Sequence, residues 1–204
     1  MTIKTVVFDF GGVLFDWNPR YLYRKVFETE AQTEDFLTRV CPFSWHEQLD
    51  LGKPFADACN ERKALFPEFS REIDMYNDRW DEMFHAPFVK THDILKALAK
   101  NYPVYGLTNW PWEKLAVFME KPENKAVFGA MKGVVCSALE KIAKPDVRIY
   151  EILLDRYSLD AAETVFIDDN VKNIVAAEKV GMTGVKYESP DRLSGALREK
   201  GLVF

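Results

Sequence analysis

The chain has 204 residues, of which 48% are hydrophobic and 29% are charged, and its formal net charge at pH 7 is -5. This size and balance are typical of a folded globular domain with room for one insertion, and they exclude a disordered chain. The mild acidity provides no basic surface for nucleic acid or an anionic membrane, so we expect neither as a partner.

The cysteines and the first residues carry no sign of secretion. Cys41, Cys59 and Cys136 are odd in number, widely spaced and without a CxxC pattern, so we expect reduced, buried thiols. The opening MTIKTVVFDFGG lacks the apolar stretch of a signal peptide, and no run of about 18 apolar residues predicts a membrane span. These features predict a cytoplasmic protein.

Short apolar runs rich in β-branched and aromatic residues predict buried parallel strands. The first is Thr5 to Phe10, TVVFDF, which ends in a pair of glycines. Later runs of the same kind predict strands over 103–107, 133–136, 164–167 and 183–187. Helices are predicted between them over 92–100, 148–157 and 173–180, with Gly181 ending the last one. This alternation is typical of an α/β fold with a doubly wound parallel sheet.

The segment from Trp17 to Pro87 differs from the rest of the chain. It is dense in aromatic and charged residues and shows no convincing buried strand. Apolar residues recur at three- and four-residue spacing, which predicts helices over 21–28, 34–40 and 71–84. We therefore predict a helical cap over 17–87, inserted after the first strand of a core domain made of 1–16 and 88–204.

Polar residues follow the predicted strands at the points where they end. The carboxyl ends of parallel strands meet at one edge of the sheet, where ligands bind in open α/β folds. A loop lysine before a predicted helix is expected to join them there. The set comprises Asp9, Thr108, Asn109, Lys144, Asp168 and Asp169.

Each of these residues also has an ordinary structural interpretation. Asp9 could be a turn residue, Thr108 a helix cap and Lys144 a solvated surface lysine. Gly11 and Gly12 favour a ligand site next to Asp9, because glycine lets the backbone approach a ligand closely.

The adjacent carboxylates of Asp168 and Asp169 favour a bound cation. Two neighbouring negative charges at the end of an apolar strand repel each other, and a cation is the natural compensation. Carboxylate oxygens are hard ligands and suit magnesium.

At this point the sequence resembles the haloacid dehalogenase-like hydrolase superfamily. Its motifs correspond here to DFGGV from Asp9, LTN around Thr108, KPD from Lys144 and FIDDN around Asp168 and Asp169. They cover the chain to about residue 181. The opening FDFGGVLFDWNPRYLYRKVF is similar to the branch of sugar-phosphate phosphatases that includes α-D-glucose-1-phosphate phosphatase. The resemblance implies a Rossmann-like core with a helical cap after the first strand.

The resemblance also implies roles for the residues that match its motifs. Asp9 would attack phosphorus and form an aspartyl-phosphate that water hydrolyses, so the chain would act on a small phosphorylated molecule, with sugar phosphates among the candidates. Thr108, Asn109 and Lys144 would bind the phosphoryl group, and Lys144 would also pair with Asp9. Asn109 and Asn173 are also candidates for supporting the site without touching the substrate. Magnesium would be held by Asp9, the carbonyl of Gly11, Asp169 and Asp168. Asn173 could equally be a helix cap.

One departure from the family pattern leaves two other functions open. Phosphatases of the superfamily usually carry a second Asp two residues after the nucleophile as general acid and base, and Gly11 stands there. A cap residue could replace it, and Asp16 is the nearest other carboxylate. A 2-haloacid dehalogenase needs no such acid, but Asp168 and Asp169 favour a metal-assisted phosphatase. A silent binding protein would need neither Asp9 nor Lys144.

Aromatic and charged residues around the predicted cap are candidates for substrate recognition or for simple packing. They are Trp17, Asn18, Arg20, Trp45, His46, Trp110 and Trp112. Arg20 could bind a second anionic group, and the tryptophans could stack on a sugar. His85 and His92 have no evident partner and are expected at the surface or in the cap. The sequence does not decide between a monomer and a homodimer.

Overall fold

Two sheets organise the structure, a computed structural model that describes residues 2–204. The strands, in chain order, are β1 (Thr5–Phe8), β2 (Phe15–Trp17), β3 (Phe84–Pro87), β4 (Val104–Thr108), β5 (Gly133–Cys136), β6 (Thr164–Asp168) and β7 (Thr183–Lys186). The main sheet is parallel throughout, in the order β5-β4-β1-β6-β7. β2 and β3 form a separate antiparallel pair.

Helices surround the main sheet and fill the segment between β2 and β3. In chain order they are α1 (Arg20–Tyr23), α2 (Glu30–Asp35), α3 (Phe43–Asp50), α4 (Phe55–Leu65), α5 (Ser70–Asp78), α6 (Val89–Leu98), α7 (Trp112–Glu120), α8 (Pro122–Phe128), α9 (Ser137–Glu140), α10 (Val147–Tyr157), α11 (Val171–Lys179) and α12 (Pro190–Glu199). Apolar side chains pack on both faces of the sheet in two clusters, so its central strands are buried. The predicted α/β fold with a doubly wound parallel sheet is confirmed.

The strands of the main sheet lie close to their predicted positions. β5 coincides with the predicted range, whereas β1 ends at Phe8, two residues before the predicted end. α11 ends at Lys179, and Gly181 follows with a φ of 92°. The N–H of Gly181 donates to the Glu178 carbonyl, which supports its predicted role in ending the helix.

The segment 17–87 differs from its prediction at three places. The helix predicted over 71–84 ends at Asp78, and β3 begins at Phe84 after one turn of 3-10 helix. The helix predicted over 21–28 ends at Tyr23. The residues 36–40 form a π-helical turn after α2, whose start is set by the capping box of Thr29 and Gln32.

Long-range pairing explains why β3 was not predicted as a strand. β3 is largely exposed and pairs with β2, about 70 residues earlier, so no local alternation of apolar residues marks it. The pair Trp17 and Phe84 brings the two ends of the helical segment together. The division into a core of 1–16 and 88–204 and a cap of 17–87 stays a prediction.

The predicted surface or cap position of His92 is wrong, although His85 is exposed as expected. His92 lies in α6 and only 7% of it is exposed, because this face of the helix packs on the core. Its Nε2 donates to the Leu14 carbonyl at 2.9 Å, and its ring meets Phe15 edge-on. Burial lowers the pKa of His92.

Two further features concern the cysteines and the length of the helices. Cys41, Cys59 and Cys136 are buried free thiols, as predicted. Over residues 2–204, none of the helices has both the length and the apolar character that crossing a membrane requires.

We expect His92 to make the protein less stable in acid. Because the folded-state pKa lies below that of the unfolded chain, the unfolded chain takes up a proton first as the pH falls below about 6.5. Wild type should therefore lose free energy of unfolding relative to His92→Gln between about pH 7.5 and about pH 5.5. Urea unfolding at both pH values measures the free energy of unfolding of each protein.

The control is His85→Gln, which removes an exposed ring from β3. A difference between wild type and His92→Gln that stays the same at both pH values would contradict the expectation.

Candidate active site

The carboxyl ends of three neighbouring strands bring the predicted residues to one edge of the sheet. β1 lies between β4 and β6, so Asp9 after β1 is flanked by Thr108 at the end of β4 and Asp168 at the end of β6. Asp169 follows directly. Lys144 reaches the same place from the loop before α10.

The Lys144 ammonium lies between two carboxylates. Its Nζ is 2.8 Å from Asp9 Oδ1 and 2.7 Å from Asp168 Oδ2. All three side chains are almost completely shielded from solvent, and Asp168 is 0% exposed. The predicted pairing of Lys144 with Asp9 is present, and Asp168 is a second partner.

The charges of this triad do not balance. Burial raises the pKa of Asp9 well above its usual range, although the charge of Lys144 opposes this. Burial also acts against a charged Lys144, but attraction to Asp168 and Asp9 outweighs it and raises the pKa of the ammonium. With both carboxylates ionised, the buried triad carries one excess negative charge, which a further cation would offset.

Asp168 is held by hydrogen bonds from several directions. The Asn170 N–H donates to its Oδ1 at 2.8 Å, and Asn173 Nδ2 lies 3.1 Å from Oδ1 and 3.0 Å from Oδ2. Asn170 caps α11, so the alternative that Asn173 is the helix cap is wrong. Asn173 instead supports the carboxylate that holds Lys144.

Asn109 binds the backbone of Lys144. Its Oδ1 accepts from the Lys144 N–H at 2.9 Å, and its Nδ2 donates to the Lys144 carbonyl at 3.0 Å. The peptide bond between Lys144 and Pro145 is cis. The Asn109 amide thus positions the loop that carries the lysine, and its assignment to phosphate binding stays a prediction.

Thr108 is buried at the end of β4, and its Oγ1 lies 3.5 Å from the Asn109 carbonyl. It does not cap a helix, because α7 begins after Pro111. Thr108 is not one of the residues that line the cavity, and its predicted contact with a phosphoryl group stays a prediction.

Gly12 makes room for Asp169. It has a φ of 77°, and a Cβ on it would lie 2.6 Å from Asp169 Oδ2. A Cβ on Gly11 would meet nothing within 4 Å. Gly12 is therefore required by both conformation and space, whereas Gly11 faces an opening.

The carboxylates of Asp9, Asp168 and Asp169 form a set that fits a metal ion. One oxygen from each lies within 4.8 Å of the others. Such a cluster of hard oxygen atoms next to unbalanced negative charge suits magnesium. Asp169 is the most exposed of the three, whereas the oxygens of Asp168 already accept hydrogen bonds.

A cavity of about 550 Å³ opens over these residues. Its floor includes Asp9, Gly11, Lys144 and Asp169. Another part of the lining, here called the wall, is one face of α3 together with the residue after it, and its members recur at three- and four-residue spacing as on a helix. The wall residues are Phe43, His46, Glu47, Asp50 and Leu51.

The cavity includes only some of the aromatic and charged residues that the sequence offered for recognition. Trp17, His46 and Trp110 line it, and so does Trp80, which the sequence analysis did not single out. Arg20 pairs with Glu34 instead. The remaining candidates, Asn18, Trp45 and Trp112, are not among the lining residues. The α3 residues share one helix face through their three- and four-residue spacing, but this spacing does not tell which face borders a cavity.

The chain is similar to several phosphatases over nearly its whole length. It is 31% identical to a sesquiterpene phosphatase of Aspergillus oryzae, covering 99% of this chain and 97% of that protein. It is 26% identical to a D-ribitol-5-phosphate phosphatase of Bacteroides thetaiotaomicron, covering 92% and 93% respectively.

Solved structures show the same fold. A haloacid dehalogenase family enzyme of Bacteroides thetaiotaomicron, in complex with magnesium and inorganic phosphate, has a TM-score of 0.72 at 21% identity, over 92% of this chain and 95% of that one. The L-2-haloacid dehalogenase of Xanthobacter autotrophicus, with chloropropionic acid covalently bound, has a TM-score of 0.65 at 16% identity, over 100% and 85%. The fold alone therefore does not separate phosphatase from dehalogenase.

The match of the sequence to a family model identifies its family. The model for haloacid dehalogenase-like hydrolases matches residues 3–181, which include β1, β4, β6 and every residue of the acidic cluster. The match agrees with the resemblance in the sequence motifs. The chain belongs to the haloacid dehalogenase-like hydrolases.

Proposed function

We propose that the chain is a magnesium-dependent phosphatase that hydrolyses a small phosphomonoester through an aspartyl-phosphate on Asp9. The observation that carries the proposal is the cluster of Asp9, Asp168 and Asp169, with Lys144 bound to the first two, next to the floor of the cavity. Similarity to relatives that are named as phosphatases supports it. Asp9, Gly11 through its carbonyl, Asp169 and Asp168 would hold the metal, Asp168 directly or through water.

In the first step, an oxygen of Asp9 attacks phosphorus while the bond from phosphorus to the leaving oxygen breaks. Lys144 keeps positive charge next to both the carboxylate and the phosphoryl oxygens, and Thr108 would donate its hydroxyl. Magnesium, when bound, offsets the repulsion between the carboxylate and the anionic substrate. Water then attacks phosphorus, which releases phosphate and restores Asp9.

The proton for the leaving oxygen has no donor at position 11. Gly11 faces the cavity and has no side chain to supply one. Asp16 accepts a hydrogen bond from Tyr21 and does not line the cavity, which argues against it as the substitute. The proposed reaction therefore favours leaving groups that depart without strong acid assistance, or it takes the proton from a wall residue or solvent.

A 2-haloacid dehalogenase remains the second candidate on fold alone. The acidic cluster is the feature against it, because displacement of halide from carbon needs no cation. Release of chloride from 2-chloropropionate in the presence of EDTA would favour the dehalogenase over the phosphatase.

We expect Asp9→Asn to abolish phosphatase activity. Loss of the nucleophile should lower kcat for p-nitrophenyl phosphate by at least about 10⁴-fold, and EDTA should have the same effect on wild type until magnesium is restored. Phosphate release is measured. Asp191→Asn removes an exposed carboxylate from α12 and serves as the control. Activity that survives either treatment would contradict the mechanism.

We expect Gly12→Ala to weaken magnesium binding. The new Cβ would collide with Asp169 and displace a proposed ligand, and the positive φ should cost about 1 kcal/mol or more in addition. Thermal unfolding with and without magnesium measures binding without activity, since a ligand of the folded state raises Tm. Wild type should gain stability on adding magnesium, and Gly12→Ala should not.

Gly195→Ala, in α12 and away from the acidic cluster, is the matched control for this variant. A Cβ on Gly195 would meet nothing within 4 Å, so the gain in Tm with magnesium should remain. The same gain in Gly12→Ala as in wild type would show that Asp169 does not hold the metal.

A further inference from the structure

The cavity has an uneven distribution of charge. Among the lining residues that the structure describes, the carboxylates are Asp9, Glu47, Asp50 and Asp169, and the only lysine or arginine is Lys144. Lys144 is already shared by Asp9 and Asp168. A phosphoryl group bound at the floor would need this same ammonium, which leaves none for a second anionic group.

The wall above the floor offers no charge for a second anion. Glu47 and Asp50 lie one turn apart on the α3 face that borders the cavity. The His46 ring faces Asp50, with Nε2 3.4 Å from Asp50 Oδ1 in a contact that lacks hydrogen-bond geometry. Its Nδ1 contacts the Tyr76 hydroxyl.

Arg20, which the sequence offered for a second anionic group, is engaged elsewhere. Its guanidinium makes two hydrogen bonds to the Glu34 carboxylate, with Nη2 2.6 Å from Oε2. Arg20 does not line the cavity. Arg20 is therefore not placed to bind a second phosphate or a carboxylate of the substrate.

The aromatic part of the cavity lining suits a neutral or cationic group. Trp17, Trp80, Trp110 and Phe43 line the cavity, and aromatic faces attract both apolar surfaces and cations. Within residues 2–204, the buried side-chain polar atoms without a hydrogen-bond partner all belong to lining residues: Asp50 Oδ1 and the indole N–H groups of Trp17, Trp80 and Trp110. A hydroxyl group of a substrate could accept a hydrogen bond from an indole N–H and donate one to Asp50 Oδ1.

We propose that the substrate is a phosphomonoester whose leaving group carries no negative charge, and that Glu47 and Asp50 exclude anionic leaving groups. The proposal rests on the proposed phosphatase activity. An anionic group on the leaving side would lie in a cavity with two carboxylates and no available cation, and like charges placed together are strongly disfavoured. Neutral alcohols and alcohols that carry an ammonium group do not experience this repulsion.

Three phosphomonoesters of nearly equal size test the proposal. They are 2-aminoethyl phosphate, 2-hydroxyethyl phosphate and phosphoglycolate, whose leaving groups are cationic, neutral and anionic. The kcat/KM for phosphoglycolate should be at least about tenfold below that of both others. Equal values for the three would overturn the proposal. Hydrolysis of none of these esters or of p-nitrophenyl phosphate would instead contradict the phosphatase activity itself.

Substitutions of charged residues on α3 test whether these residues cause the discrimination against phosphoglycolate. Glu47 is exposed to solvent, so Glu47→Gln and Glu47→Lys should fold. Both should raise kcat/KM for phosphoglycolate relative to 2-hydroxyethyl phosphate, Glu47→Lys the more, and the gain should shrink as salt is added. Glu68→Gln removes one exposed charge from the same helical segment outside the cavity and should leave the ratio unchanged.

If the ratio moves equally in Glu47→Gln and Glu68→Gln, the discrimination comes from the net charge of the protein and not from the wall. The ratio could also stay unchanged in both Glu47→Gln and Glu68→Gln while phosphoglycolate remains a poor substrate. In that case Asp50→Asn tests whether the buried Asp50 carboxylate alone causes the discrimination. A ratio unchanged in Asp50→Asn as well would overturn the role of α3.

Discussion

The buried contact of Lys144 with Asp9 and Asp168 is the interaction on which the site depends. It joins the ends of β1 and β6 to the loop before α10, and Asn109 holds that loop through the Lys144 backbone. Removing one partner from a buried ion pair typically costs about 3–5 kcal/mol, because the other charge stays without compensation. The same contact orients the Asp9 carboxylate, so stability and the proposed reactivity depend on the same atoms.

Excess negative charge links the floor of the cavity to its wall. At the floor, two carboxylates share one ammonium, and a third lies close enough to complete a site for a hard cation. On the wall, Glu47 and Asp50 add charge of the same sign. A phosphoryl group can enter because Lys144 and a metal would neutralise it, whereas a second anionic group would meet only carboxylates. One electrostatic pattern therefore supports both the proposed reaction and the proposed selectivity.

Packing places this wall over the floor. The short pair of β2 and β3 brings the ends of the helical segment together next to the main sheet. The Ser137 hydroxyl donates to the Asp50 carbonyl and accepts from the Trp110 N–H, so the end of α3 is tied to the loop after β4. Gly52 lies against the Ala138 carbonyl, where a Cβ could not fit. The cavity thus depends on contacts between residues far apart in the chain.

The sequence by itself determined the α/β fold, the parallel strands and the edge where Asp9, Lys144 and Asp168 meet, because apolar strands buried on both faces and the polar residues after them are local patterns. It did not reveal β3, the burial of His92, the engagement of Arg20 by Glu34 or the α3 wall. Only the tertiary structure decided these, because each depends on a partner distant along the chain or on which face of a helix turns inward, and neither is encoded in a short stretch of residues.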